Sequence, residues 1–140
     1  MCIRDSLYTD SVLGDAIDWL KQRSATHDTA LLYVADHGES LGEHNLYLHG
    51  LPYAIAPDVQ KHVPWITWLS PAMQSRTGAA TGCLQQDLAE RRITHDNYFH
   101  SVLGLLDVTT GAYNPDLDMF TACRHQAQAM AAPPGGSRRL

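Results

Sequence analysis

Residues 29–35 read TALLYVA, an apolar run that breaks off at Asp36-His37-Gly38-Glu39. A run without polar alternation suits a strand covered on both faces, as in a parallel sheet flanked by helices. Ahead of it, Val12, Leu13, Ala16, Ile17 and Leu20 recur on one face, with Asp15, Asp18 and Lys21 between them. That periodicity predicts an amphipathic helix over Thr9–Ser24, with Thr9 as N-cap and Lys21 and Arg23 in the last turn. A helix feeding a buried strand is half of an α/β repeat. Open α/β sheets bind ligands at the carboxyl ends of their strands, so the polar tetrad marks a candidate site.

Downstream, Gly42, Gly50, Pro52 and Pro57 interrupt residues 40–60. A segment of that length is expected to be irregular, and its content (Leu41, Leu46, Tyr47, Leu48, Leu51, Tyr53, Ile55) predicts an ordered loop packed over the sheet end. Val63–Leu69 (VPWITWL) reads as a second buried strand, with Pro64 near its start where a missing donor costs least. Pro71–Gly82 reads as loop. Helices are expected over Cys83–Arg92 and over His95–Asp107, the second with Thr94 as N-cap. Asp107–Cys123 is mixed, and from Ala129 onward AMAAPPGGSRRL has the composition of a disordered tail.

Composition removes several classes. Ten Lys+Arg against 15 Asp+Glu give a net charge of −5, and no basic run is present, which argues against nucleic-acid binding. Long stretches free of charge, such as His44–Pro57 and Val63–Ser75, contain proline and fall short of the roughly 20 residues of a membrane span. The first six residues have no apolar core of the kind a signal peptide needs. Three cysteines exclude a four-Cys zinc site and a disulfide-dense mini-protein. They leave room for one bridge, and for Cys83 and Cys123 the residues alone leave a bridge or two buried thiols open. If closed, that loop contributes about 4 kcal/mol.

Eight histidines turn attention to metals and acid–base chemistry. Adjacent strand residues point to opposite faces, so Asp36 and His37 converge only where the strand ends and the chain turns at Gly38. A carboxylate oxygen beside an imidazole nitrogen suits zinc or a similar divalent ion, though tetrahedral zinc wants four ligands. The alternative is that Asp36 caps a short helix, with Glu39 completing a capping box. His49 follows the loop and reads as a substrate-binding His, a further metal ligand or a buried structural His. Glu39, Glu43 and His44 are near enough in sequence to support such a site. His27, His62, His95, His100 and His125 form no pattern. No nucleophile elbow and no phosphate-cradling glycine loop is present.

The run YVADHGESLGEHNLYLHGLPYAIAP (Tyr33–Pro57) resembles the carboxyl-terminal part of the lipid A phosphoethanolamine transferases, the family that includes the mobile colistin-resistance enzymes. The likeness extends to LYTDSVLGDAIDWLK (Leu7–Lys21), VPWITWLSP (Val63–Pro71), CLQQ and THDNYFHSVLGLLDV, and so covers roughly residues 7–124. Asp-His-Gly-Glu alone is shared across the alkaline-phosphatase and sulfatase superfamily, whereas Tyr47–Ala54 is more specific. Residues 1–6 do not match, and residues 125–140 are expected to be a disordered tail.

This resemblance implies an α/β fold: part of an alkaline-phosphatase/sulfatase-like sandwich with a mainly parallel sheet flanked by helices. It implies that Asp36 and His37 ligate a catalytic Zn2+ and that His49, with Glu39, serves the substrate phosphate region or an additional zinc. The remaining ligands, including a nucleophilic Thr, and the membrane-spanning helices are expected upstream of this segment. The implied reaction moves phosphoethanolamine from phosphatidylethanolamine to a lipid A phosphate through a phospho-threonine. The implied location is the periplasmic face of the bacterial inner membrane, where a Cys83–Cys123 disulfide is favoured. Alternatives are a sulfatase-type hydrolase, a phosphoglycerol transferase, or an inactive fragment. Against the sulfatase stands the absence of any Lys between Lys21 and Lys61.

Overall fold

In the computed structural model, residues 2–131 are described, and they divide into two units at the boundary between Ser70 and Pro71. The apolar run forms β1 (Ala30–Val34), which pairs with β4 (Trp65–Leu69) in antiparallel register, Ala30 opposite Leu69 and Val34 opposite Trp65. The α/β character expected from sequence holds. The pairing is antiparallel where a parallel sheet is expected, since an unbroken apolar run is compatible with either direction, and among the described residues β1 and β4 are each other's only strand partner. For the same reason β1 is half-buried along its whole length rather than enclosed on both faces.

Ahead of the sheet, α1 runs over Cys2–Arg23, beginning seven residues before the expected Thr9 cap. No glycine or proline occurs in residues 2–9, so nothing in that segment stops the helix. Leu13, Ala16, Ile17 and Leu20 are the half-buried stripe at helical spacing. Lys21 pairs with Asp18 at 2.9 Å, and the Arg23 guanidinium lies 3.6 Å from the Trp19 ring centroid. Ser24 ends the helix by donating its hydroxyl to the Leu20 carbonyl. Thr29 ties this end to the sheet: its N–H donates to Ser70 Oγ, and its hydroxyl bonds that of Ser24 at 2.8 Å.

The segment expected to be irregular contains a small hairpin. β2 (Ser40–Leu41) pairs with β3 (Tyr47–Leu48) around a single 3₁₀ turn at Glu43–Asn45, and a one-turn helix, α2 (Asp58–Lys61), follows. Its apolar side chains do not pack over the sheet end as expected. Leu41, Tyr47, Leu48, Tyr53 and Ile55 are exposed, since the short hairpin offers no second layer to cover them.

The second unit is helical: α3 (Pro71–Thr77), α4 (Thr81–Glu90), α5 (Asp96–Leu105) and α6 (Thr121–Ala131). The expected loop over Pro71–Gly82 is therefore corrected, since Pro71 supplies a pre-set first helical position and Gly78, at φ +67°, ends the element. Thr94 does not cap α5 with its side chain. Instead its N–H donates to Asn97 Oδ1 at 2.8 Å, the reverse half of a capping box. Met73, Ala79, Leu84, Leu105, Met119, Phe120 and Cys123 are the buried apolar residues of this unit, and Cys83 and Cys123 are joined by a disulfide. The tail expected from residue 125 is corrected over 125–131, which are helical because alanines at 127, 129 and 131 favour α6. Residues 132–140, also assigned to that tail, lie outside the described residues. Among the described residues no helix is long and apolar enough to cross a membrane.

Candidate metal centre

Asp36 lies two residues beyond the end of β1 and starts no helix, so the capping alternative does not hold. Its Oδ1 accepts the His37 N–H at 3.0 Å, while Oδ2 lies 3.8 Å from His37 Nε2. The Asp36 side chain is 91% exposed, so this carboxylate is free to turn toward an ion. His37 Nδ1 lies 2.9 Å from the Gly38 carbonyl. A carbonyl can only accept, so Nδ1 carries the proton and Nε2 presents its lone pair on the side of Asp36. Metal-binding histidines are oriented in this way by the bond their other nitrogen makes.

The turn at Gly38 is imposed by α2. The Gly38 N–H donates to the Gln60 carbonyl at 3.1 Å, and a Cβ at position 38 would run into the Val59 carbonyl. Only glycine fits so close to a neighbouring backbone. Beyond it, Ser40 is buried, and its hydroxyl accepts from Gln60 Nε2 at 2.7 Å. The same amide nitrogen donates to the Leu48 carbonyl at 3.1 Å. Leu48 sits at φ +66°, a left-handed conformation that costs a non-glycine residue about 1–3 kcal/mol and persists only where surroundings enforce it.

The hairpin thereby brings His49 back to the strand end. The His37 and His49 rings lie 3.8 Å apart between centroids, tilted by 33°. His49 Nδ1 donates to Glu39 Oε2 at 3.0 Å, leaving its Nε2 open. Ligand atoms of His37, Glu39 and His49 lie within 4.8 Å of one another, a group that could hold a metal ion. Asp36 is not in that group, although the residues alone point to Asp36 and His37 as the pair. Two imidazole nitrogens with carboxylate oxygens form a borderline donor set that fits zinc. A cleft of about 630 Å³ runs from His37 and Glu39 past Tyr33 and Ile66 to Leu13 and Asp10, giving room for a substrate group.

Glu43 supports the hairpin rather than the metal group. Its carboxylate accepts the Leu41 N–H at 2.7 Å, and that bond is the main reason its pKa is held below the ordinary value of 4.5. The Glu43 and Gly42 backbone and the neighbouring His44 act in the same direction. Sequence reasoning missed Gln60. A lone glutamine in a polar one-turn helix carries no motif, and only its burial sets it apart.

The sulfatase family matches residues 3–108. Phosphoethanolamine transferase EptA of Salmonella typhimurium is 44% identical over 122 residues, 87% of this chain and 22% of that protein. Phosphatidylethanolamine transferase Mcr-2 of Escherichia coli is 43% identical over 75% of this chain and 18% of its own length. The crystal structure of the soluble domain of lipooligosaccharide phosphoethanolamine transferase A from Neisseria meningitidis superposes with a TM-score of 0.79 at 43% identity, over 84% of this chain and 35% of that domain. The same protein, solved as an integral membrane protein, is covered over 22% of its chain. This chain thus spans about a fifth of the length of the curated relatives it matches. With the strand-end Asp36-His37 pair, the resemblance over most of its residues and the shared fold together, the chain belongs to the sulfatase family.

Proposed function

We propose that residues 7–124 are the carboxyl-terminal part of a periplasmic catalytic domain that transfers phosphoethanolamine from phosphatidylethanolamine to a lipid A phosphate. Support comes chiefly from the 44% identity to a phosphoethanolamine transferase over 122 residues, a span that includes both the Asp36–Glu39 tetrad and the His49 segment. The transferases among the relatives favour this reading over a sulfatase-type hydrolase. In this proposal Asp36 and His37 hold Zn2+ through Oδ2 and Nε2, with the remaining ligands and the nucleophilic threonine supplied by the part of the relatives' length that this chain does not span. When bound, zinc lowers the pKa of a coordinated hydroxyl and screens phosphoryl charge. His49, its Nδ1–H held by Glu39, presents Nε2 either to a phosphate oxygen, where it takes a proton, or to an additional zinc alongside His37. Glu39 orients that imidazole, and the adjoining cleft admits the organic part of the donor. The site belongs at the outer face of the inner membrane, where phosphoethanolamine added to lipid A lowers its negative charge and so its attraction for cationic polymyxins.

A chimera tests this reading. Residues 7–124 are spliced into the matching segment of the Salmonella typhimurium transferase, and lipid A is analysed by mass spectrometry. Phosphoethanolamine-modified lipid A is expected, falling at least 100-fold on Asp36→Ala or His37→Ala, in line with loss of a metal ligand. A chimera that is folded and membrane-inserted yet transfers nothing overturns the proposal.

A further inference from the structure

We infer that Gln60 is the positioning residue that holds His49 against His37. The inference rests on the proposed function above, because the two imidazoles matter together only if they serve one site. Both rings are about half exposed, with side-chain exposures of 43% for His37 and 49% for His49. Surrounding packing therefore does little to hold them 3.8 Å apart; the Nδ1 bonds to Glu39 and to the Gly38 carbonyl set the tilt of each ring, and the backbone on either side sets the distance between them. Gln60 is the buried group that touches both backbones. It is 8% exposed; its backbone carbonyl accepts the N–H of Gly38 next to His37, a bond any residue here would keep, while its side-chain amide donates to the carbonyl of Leu48 next to His49, a bond specific to glutamine. The second hydrogen on the same nitrogen goes to Ser40 Oγ, which fixes the amide in the orientation that reaches Leu48. Leu48 is the residue in the left-handed conformation, so the Gln60 bond secures the strained link that aims His49 at the strand end. An ionised glutamate of the same length has no donor for Ser40 or Leu48, and an apolar residue of that size has no polar group for either.

The test uses the 140-residue chain carrying Gln60→Met, read two ways. In the metal-free protein, NMR cross-relaxation between the His37 and His49 ring protons is expected in the wild type and lost in the variant. With zinc chloride as probe, affinity is expected to fall about 10-fold, the range for an outer partner of a metal ligand. In a His49→Ala background the same substitution should cause no further loss, because a residue acting through His49 has nothing left to act on. Persistence of the ring contact in Gln60→Met, or an equal loss of affinity in both backgrounds, overturns the inference. A wild-type chain whose zinc affinity ignores both His37→Ala and His49→Ala overturns the functional reading instead, while the ring contact still decides the positioning claim. If Gln60→Met does not fold by circular dichroism, Gln60→Glu, which keeps the length and removes the donors, carries the same outcomes.

Discussion

Glu43 reads the local environment most directly, because one short bond accounts for most of its behaviour. Its carboxylate receives the Leu41 N–H at 2.7 Å, closing the turn between β2 and β3, and its pKa lies below 4.5 in the folded chain. Lowering a carboxyl's pKa on folding means that the unfolded chain binds its proton more readily. The contribution to stability is therefore present above 4.5 and is lost as pH falls through the folded value. Glu43→Gln keeps an acceptor oxygen and removes the ionisation. The expected outcome is a weaker loss of urea resistance on acidification below 4.5 than in the wild type, and a Leu41 amide signal that no longer moves with pH in that range. Matching acid profiles for the two proteins would falsify the assignment. His49 illustrates the reverse relation between sequence and site. Its spacing from His37 left three roles open, and only the hairpin geometry shows that Glu39 takes its Nδ1–H while its ring meets His37.

Among the elements, α5 shows how a helix end is satisfied by partners far away in sequence. Its last carbonyls are bonded by two guanidinium groups, Arg76 to Leu105 at 3.0 Å and Arg124 to Gly104 at 2.9 Å. Cations at a helix carboxyl end meet both the orphan carbonyls and the dipole. Arg124 also pairs with Asp118, a carboxylate with 0% exposure that accepts from the Phe120 N–H at 2.8 Å and the Tyr113 hydroxyl at 2.6 Å. Any Cβ at Gly104 would collide with that carboxylate, so α5, the 107–120 connection and α6 meet at one point where only glycine fits. Arg124→Met leaves Asp118 buried without its cation and is expected to cost about 3–5 kcal/mol in urea unfolding. Arg124→Met/Asp118→Asn should recover most of it, which separates the stranded charge from lost aliphatic packing. A cost below about 1 kcal/mol for the single variant contradicts a buried, dependent carboxylate. None of this was legible in the sequence. Periodicity locates β1, β4, α4 and α5 within a few residues, and α1 at its carboxyl end, because each carries its own apolar pattern. Asp118 and Arg124 carry no such pattern, their partners lie on other elements, and α3 and residues 125–131 of α6 likewise read as loop and tail.

For the whole molecule, the candidate metal group and the disulfide fall in different units: His37, Glu39 and His49 within residues 1–70, and Cys83–Cys123 within 71–140. The sequence placed the site at the end of an apolar strand, and the tetrad is there. It could not show that β1 would pair antiparallel with β4, since an unbroken apolar run is compatible with either direction. Nor could it choose between a bridge and two thiols, which depends on the approach of α4 and α6 across 40 positions. That bridge yields the prediction that belongs at this scale. Cross-linking two residues 40 apart removes about 4 kcal/mol of loop-closure freedom from the unfolded chain. Reduction, or Cys83→Ser/Cys123→Ser, should therefore lower the opening free energy of the most protected α4 and α6 amides, by up to about that amount, in native-state hydrogen exchange. Tryptophan emission serves as an internal comparison, because Trp19, Trp65 and Trp68 all lie in the first unit and report on its integrity during the same experiment. If α4 and α6 amides exchange at the same rate with the disulfide intact and reduced, the bridge does not stabilise these helices.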